Sequence, residues 1–162
     1  MTHDYDTARW LLGAEAKRIF GLGGAFAFEK LKDVPDIDNA VILMEFSDGT
    51  MVQLEASRNA SYGYHAPLEV FGTKGAIRVG DVPRKNRSSY LSETGVVEEC
   101  ADSFFEYWKD TYRAELHDFV DCMTSRRQPK VGLEDGFKAV EWAFAAAEAV
   151  RDKKVVDFAS SF

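Results

Sequence analysis

The stretch Asn39–Arg58 reads NAVILMEFSDGTMVQLEASR and predicts a β-hairpin. Both halves are rich in apolar and β-branched residues, and the Asp48-Gly49 pair between them is typical of tight hairpin turns. In the second half Val52 and Leu54 alternate with polar side chains. Because successive side chains of a strand point to opposite faces, we expect this strand to be half buried, with polar residues on one face of the sheet.

A second hairpin is predicted over residues 68–79, where Gly72-Thr73-Lys74-Gly75 separates two strand-like runs. These strands are too close in sequence to be joined by helical crossovers, so the sheet should be mainly antiparallel. Residues 80–101 are polar and irregular, and we expect one short strand there, around Val96 and Val97. Residues 155–158 can add a last short strand.

Two long amphipathic helices are predicted after the strands. From Asp102 or Ser103 apolar side chains recur at three- and four-residue spacing, which indicates a helix packed on the sheet. The residues of its apolar face are Phe104, Trp108, Tyr112, Leu116, Phe119, Val120 and Met123. The second helix covers about Leu133–Asp152, with Phe137, Val140, Phe144, Ala147 and Val150 inward.

A short helix, capped by Asp4 or Asp6 and stopped by Gly13, precedes the first strand. The order of elements is therefore one helix, several strands and two helices. It predicts a single α+β domain over residues 1–162, with helices on one face of an open, mainly antiparallel sheet.

The glycine cluster Gly21-Leu22-Gly23-Gly24 is the only sequence candidate for a dinucleotide-binding turn. Such a turn leads from a strand into a helix whose N-terminus holds the pyrophosphate. Here the cluster lies inside a strand-like run over residues 16–28, and no helix start follows it. We therefore expect a strand with a bend or bulge at the glycines, no Rossmann domain and no cofactor site in this chain.

The composition is that of a folded, acidic domain. Of 162 residues 46% are hydrophobic, and the formal net charge is −7. Nucleic acid and anionic lipid require a basic face, so neither is an expected partner. The one basic cluster, Arg84-Lys85-Asn86-Arg87, is predicted to be a solvated loop.

The remaining composition favours a cytoplasmic setting. Cys100 and Cys122 are too few for a disulfide scaffold, and their neighbours give no metal-ligand spacing. No apolar run is long enough to span a membrane, and the N-terminal residues do not form an export signal.

Three histidines are candidates for proton transfer or binding. His3 can act as a general acid or base near neutral pH, although from composition alone a histidine near a chain end is more often solvated. His65 lies in a turn-like aromatic segment, where a binding role is open. His117 falls in an amphipathic helix, which favours a structural or exposed position.

The opening His3-Asp4-Tyr5-Asp6-x-x-Arg9-Trp10-Leu11-Leu12-Gly13 resembles the segment that follows the Rossmann domain in the glucose-fructose oxidoreductase/inositol dehydrogenase/MocA family. Further motifs of that family follow in order, and together they cover residues 3–158. They are Phe46 to Gly49, Ser57-Arg58 with Tyr62-Gly63-Tyr64, Glu69 to Gly75, Tyr112-x-x-Glu115-Leu116-x-x-Phe119, and Asp135-Gly136. The resemblance implies the C-terminal, substrate-side domain of an NAD(P)-dependent sugar or myo-inositol dehydrogenase.

The resemblance also implies site residues. In that family the substrate lies between two domains, against the open sheet, and hydride moves between a hydroxyl-bearing carbon and nicotinamide. The family's motif histidine acts as acid/base on the hydroxyl and matches His3, and such a group is required because a carbonyl forms only if the hydroxyl proton also departs. Tyr62 or Tyr64 would contact the polyol, with His65 beside them, although a packing role for either tyrosine stays open.

Two departures from the family pattern indicate that the chain is inactive alone. The family's aspartate four residues before the motif histidine would precede Met1, and its Glu-Lys-Pro lysine belongs to the nucleotide-binding domain. The Glu29-Lys30-Leu31 segment lies in the wrong domain and lacks the proline. NAD or NADP would then require the missing Rossmann domain or a partner chain, because an enzyme of this kind holds cofactor and substrate together.

A standalone, non-enzymatic oligomerisation or sugar-binding module is the alternative interpretation. On either interpretation a homodimer or homotetramer is expected through the exposed face of the sheet, since an antiparallel sheet with one uncovered face needs a partner.

Overall fold

The structure, a computed structural model, describes residues 1–80, 84–100 and 103–158. Its elements in chain order are α1 (Thr2–Leu12), β1 (Ala16–Gly24), a short 3-10 helix (Glu29–Asp33), β2 (Asn39–Phe46), β3 (Met51–Ser57), β4 (Leu68–Gly72), β5 (Gly75–Val79), β6 (Arg84–Ser92), β7 (Gly95–Cys100), α2 (Phe104–Ser125), α3 (Leu133–Asp152) and β8 (Val156–Asp157). The chain divides into two compact units. The first unit is Met1–Asn59 with Lys130–Phe162, and the second unit is Ala60–Pro129.

The first unit is built on a four-stranded sheet in the order β3-β2-β1-β8, with antiparallel pairing throughout. The turn between β2 and β3 places Gly49 at a φ of +84°, a conformation that glycine adopts at little cost. The Asp48 carboxylate accepts the backbone N–H of Thr50 at 2.9 Å. These contacts confirm the hairpin that the sequence predicts at Asp48-Gly49.

One face of this sheet forms the core of the first unit with α1 and α3. Ile19, Ile42 and Phe46 are buried on it, and the Phe46 ring meets Trp142 edge to face at a centroid distance of 5.5 Å. Full burial of a side chain such as Phe46 stabilises the fold by roughly 1.5–3 kcal/mol. Tyr5 of α1 is in the same cluster, so the fold's core includes the first residues of the chain.

The structure corrects the predicted inward face of α3. Of the residues that the periodicity places inside, Phe137, Val140, Phe144 and Ala147 are exposed, and only Val150 packs against the core. Trp142, which the periodicity leaves out, is buried. The other buried residues of α3 are Ala139, Ala145, Ala146 and Ala149. The helix has apolar residues around much of its circumference, so periodicity alone leaves the buried face ambiguous. The alanine face is the one that lets the helix approach the sheet closely.

The glycine cluster in β1 serves this close approach. A Cβ at Gly21 would lie 2.5 Å from Cδ1 of Ile42 and 2.8 Å from Cγ2 of Val150. β1 ends at Gly24, and its register is irregular only between Ala16 and Arg18. The bulge alternative at the glycines is therefore wrong for the β1–β2 pairing, while a bend there stays a prediction. The glycines leave room for Ile42 and for Val150 of α3.

The N-terminal helix begins earlier than the sequence predicts. The carbonyl of Met1 accepts the backbone N–H groups of Asp4 and Tyr5 at 3.0 and 3.2 Å, so the helix starts at Thr2 and the predicted cap at Asp4 or Asp6 is wrong. Its end agrees with the prediction, since Gly13 adopts a φ of +60° and closes the last turn.

The second unit contains two antiparallel hairpins and α2. The β4–β5 hairpin has the predicted position, with Gly72 opposite Gly75. The β6–β7 hairpin corrects the prediction of an irregular segment, since the basic run at Arg84 lies in a strand and not in a loop. Backbone pairing with β7 forms this strand, whereas its polar composition carries little strand signal.

Helix α2 begins after Ser103, whose hydroxyl accepts the N–H of Glu106 at 3.2 Å, while the alternative start at Asp102 lies outside the described residues. Of the apolar face predicted for α2, only Trp108 is half-buried. The other six residues are exposed, namely Phe104, Tyr112, Leu116, Phe119, Val120 and Met123. Periodicity predicts an apolar helix face correctly but not what covers that face. Within the described ranges, no helix is long and apolar enough to cross a membrane.

Candidate functional site

The first candidate side chain is His3, in the first turn of α1. Tyr5 and Ala8 of the same helix are buried, which turns that face toward the core. His3 lies two residues before Tyr5, about 200° around the helix, and it is exposed. The imidazole is therefore presented to solvent or a ligand by a helix whose other side is fixed in the core.

A charged cluster ties α1 to the start of α3. The Arg9 guanidinium contacts the carboxylates of Glu15 and Asp135. Asp135 also accepts the N–H of Gly132 at 2.7 Å, and this hydrogen bond, followed by the contact with Arg9, holds the pKa of Asp135 below its ordinary value. Charge-assisted hydrogen bonds of this kind are strong and directional. They fix the helix that carries His3.

The face of the sheet opposite the helices is open. Leu22, Val41 and Leu43 are exposed on it, and cross-strand pairing places Val41 beside Glu55 and Leu43 beside Gln53. The structure confirms the alternation predicted for β3. This mixed apolar and polar surface can meet either another protein surface or a hydroxyl-rich ligand.

A buried carboxylate closes the loop after β1. Asp38 is only 2% exposed, and its oxygens accept the backbone N–H groups of Phe26, Ala27 and Phe28 at 2.8–3.1 Å and the side-chain amide of Asn39 at 2.7 Å. Burial alone would raise the pKa of Asp38, but these hydrogen bonds hold it well below the ordinary range. The converging N–H groups are thus already satisfied by the chain's own carboxylate.

The other three candidates, Tyr62, Tyr64 and His65, lie together in the second unit. Tyr62 is 59% exposed, and its ring meets that of His65 at a centroid distance of 6.0 Å. Tyr64 is half-buried, and its hydroxyl accepts a hydrogen bond from Nε1–H of Trp108 at 3.0 Å. Tyr62 is therefore accessible to a ligand, whereas Tyr64 is held by its neighbours.

The sequence interpretation missed Arg9 and Asp38. Arg9 follows Ala8, which is buried in α1, and a charged side chain at the margin of a core needs a partner. Asp38 stands at the start of a strand-like run, where an acidic residue can bind the backbone of a neighbouring loop. At neither position does a sequence motif identify the group that the side chain contacts.

The described residues do not fit a nicotinamide dinucleotide. The strand that contains Gly21 and Gly23 pairs antiparallel on both sides, and the element that follows it is a five-residue 3-10 helix that starts at Glu29 and not at the glycines. The N-termini of α2 and α3 are closed by the chain's own side chains, Ser103 and Asp135. A pyrophosphate needs free N–H groups at a helix start after a parallel strand. None of the described elements offers that arrangement.

Comparison with known proteins agrees with this architecture. Residues 1–158 match the family model described as "Oxidoreductase family, C-terminal alpha/beta domain". The chain is 34% identical over 155 residues to the myo-inositol 2-dehydrogenase of Thermotoga maritima, covering 95% of this chain and 46% of that protein. It is 33% identical over 150 residues to the scyllo-inositol 2-dehydrogenase (NAD(+)) of Bacillus subtilis, covering 93% and 44%.

A solved structure gives the same result. The crystal structure of scyllo-inositol dehydrogenase from Lactobacillus casei, with bound NAD(H) and scyllo-inositol, superposes with a TM-score of 0.92 at 31% identity, covering 98% of this chain and 47% of that one. The chain thus spans about half the length of the curated relatives it matches. It belongs to the glucose-fructose oxidoreductase/inositol dehydrogenase/MocA family of oxidoreductases and corresponds to the family's C-terminal alpha/beta domain.

Proposed function

We propose that this chain is the substrate-binding half of an NAD(P)-dependent oxidoreductase that acts on a CH–OH group of a polyol or sugar, with an inositol as the first candidate. The observation that carries the proposal is the match of residues 1–158 to the C-terminal domain of a family whose similar members are inositol dehydrogenases. The exposed His3 at the start of α1 supports it, because alcohol oxidation requires a group that takes the hydroxyl proton.

His3 is the proposed acid/base residue. Its imidazole is suited to the task because histidine changes its charge near neutral pH. As the carbonyl forms, the imidazole accepts the hydroxyl proton, and in the reverse direction it returns that proton to the oxygen. The contacts of Arg9 with Glu15 and Asp135 support this role, since they hold the helix that presents His3.

Tyr62 and His65 are the proposed polyol contacts. Both are polar aromatic side chains of the second unit, with Tyr62 exposed and His65 half-buried, and each can donate and accept hydrogen bonds with hydroxyl groups. Tyr64, which the sequence offers equally, stays a prediction as a substrate contact. Its hydrogen bond with Trp108 favours the packing alternative.

The cofactor is proposed to bind outside these 162 residues, in a nucleotide-binding half. Accepting and returning hydride is the chemistry that a nicotinamide dinucleotide supplies when bound. The names of two relatives refer to NAD, which favours NAD over NADP for the complete enzyme. A homo-oligomer formed through the open face at Leu22, Val41 and Leu43 is also proposed, because exposed apolar side chains on a sheet face are typical of an interface.

The proposal is tested by joining the nucleotide-binding half of the Thermotoga maritima myo-inositol 2-dehydrogenase to this chain and measuring the reduction of NAD with myo-inositol. General acid/base groups contribute about 10²- to 10⁴-fold to rate. We expect His3→Asn to lower kcat by about that factor with little change in KM. The control is His117→Asn, which removes an exposed imidazole on α2 and should leave kcat unchanged.

An active fusion in which His3→Asn keeps wild-type kcat would contradict the acid/base role. An active fusion that oxidises only substrates without a hydroxyl-bearing carbon would contradict the proposed reaction class.

A further inference from the structure

The segment that carries the proposed polyol contacts is held by helix α2 through Tyr64. The Tyr64 ring lies 5.1 Å from Tyr107, 6.0 Å from Phe104 and 6.4 Å from Trp108, measured between centroids. Its hydroxyl oxygen accepts the indole N–H of Trp108 at 3.0 Å. Tyrosine in this setting is an anchor, because its apolar ring is packed and its polar end has a partner.

A second contact holds the same segment two residues later. The Tyr107 hydroxyl donates a hydrogen bond to the carbonyl of Ala66 at 3.4 Å. Successive residues of α2 therefore hold Tyr64 and Ala66, and His65 lies between these two points. His65 in turn meets the Tyr62 ring. The positions of both proposed contacts thus depend on the two anchors.

The direction of the anchoring hydrogen bond is fixed by chemistry. The indole of Trp108 can only donate, so the Tyr64 oxygen must accept. Tyr64→Phe keeps the ring and removes only the hydroxyl, whereas Trp108→Phe removes the donor together with part of the indole packing against Tyr64 and Tyr107. The hydrogen bond can therefore be tested while an aromatic ring remains at each position.

We propose that Trp108 is a positioning residue for substrate binding, which acts through the Tyr64 hydroxyl to hold Tyr62 and His65 in place for a polyol. This inference rests on the proposed function. It assigns the contact with substrate to Tyr62 and His65, and it assigns to Tyr64 and Trp108 the role of holding them.

The anchor itself is tested on the whole 162-residue chain by NMR of the tryptophan indole N–H groups. The chain has three tryptophans, Trp10, Trp108 and Trp142, and the signal that disappears in Trp108→Phe identifies its indole. In Tyr64→Phe we expect this signal to move upfield and to exchange faster with water. Tyr62→Phe, the matched control, should leave it in place. An unchanged Trp108 signal in Tyr64→Phe would overturn the inference.

The positioning role is tested on the same chain by titration with myo-inositol, following the imidazole signals of His65. Losing one hydrogen bond changes an equilibrium by about 2- to 10-fold. We expect Trp108→Phe and Tyr64→Phe each to weaken apparent binding by about that factor, and the double variant to weaken it no further. A merely structural role would lower the fraction of responsive protein and leave the midpoint unchanged.

The outcomes separate this inference from the proposed function. If the wild-type chain responds to myo-inositol and both variants titrate with the wild-type midpoint, the positioning role is overturned and polyol binding stands. If the wild-type chain shows no response up to the solubility limit of myo-inositol, polyol binding by this chain is contradicted and the positioning role falls with it.

Discussion

Two Gly→Ala substitutions should change stability in opposite directions. At Gly23 in β1 an added Cβ would lie 2.8 Å from the carbonyl oxygen of Asn39 and 2.8 Å from Cδ1 of Ile37. The first of these atoms is backbone of the neighbouring strand, so the pair of strands must shift to make room. At Gly136, near the start of α3, the added Cβ would meet nothing within 4 Å.

The magnitudes follow from these surroundings. Forcing a methyl group into filled space costs about 1–3 kcal/mol. Replacing glycine within a regular element returns about 0.5–1 kcal/mol of backbone entropy. We therefore expect Gly23→Ala to lower the free energy of unfolding by about 1–2 kcal/mol. Gly136→Ala should raise it by about 0.5–1 kcal/mol, since alanine is the better helix former and no clash opposes it.

Urea denaturation followed by tryptophan fluorescence measures both effects, because Trp142 is buried in the core of the first unit. A Gly23→Ala variant as stable as the wild type would refute the argument that these glycines are present for close packing. A destabilised Gly136→Ala variant would show that the space around α3 is not open.

Two further predictions concern pH and association. Burial, with a smaller contribution from Asp4, raises the pKa of Tyr5 from 10.0 to about 12. The Tyr5 hydroxyl therefore loses its proton at lower pH in the unfolded chain than in the folded one. The contribution of Tyr5 to the free energy of unfolding is complete below pH 10 and falls by up to about 3 kcal/mol as pH rises to 12. Denaturation of Tyr5→Phe across that range should lack this contribution, and an identical pH profile for the two proteins would count against it. On the open sheet face, Leu43→Asp should convert an oligomer to a monomer, as measured by sedimentation velocity. The control is Val140→Asp on α3, which is similarly exposed and should not change the oligomeric state. Equal sedimentation of the wild type and Leu43→Asp would exclude this face as the interface.

The sequence predicted the sheet better than the packing around it. Asp48-Gly49 and the alternation at Val52 and Leu54 report local geometry, and the structure has the hairpin there. The buried face of α3 could not be predicted, because Phe137 and Trp142 are both large and apolar. Which of them faces the sheet is decided by tertiary packing, in which the Trp142 ring meets Phe46.

In the candidate site too, the sequence identified individual residues but not their tertiary contacts. His3 and Tyr62 were identified through a resemblance in sequence, and both are accessible in the structure. The partner of Tyr64 could not be predicted, because Trp108 is 44 residues away and carries no signal of its hydrogen bond. Likewise the periodicity of α2 predicted a core role for Trp108, and only the tertiary structure brings its indole N–H to the Tyr64 hydroxyl.

We propose that these 162 residues form a substrate-side domain without a cofactor site, and titration of the purified chain with NADH is the direct test. Nicotinamide fluorescence would be followed with and without myo-inositol. We predict no saturable change in either case, because the glycines of β1 are packed and the N-termini of α2 and α3 are closed by Ser103 and Asp135. Saturable binding of NADH would contradict the account and place a dinucleotide site within this chain.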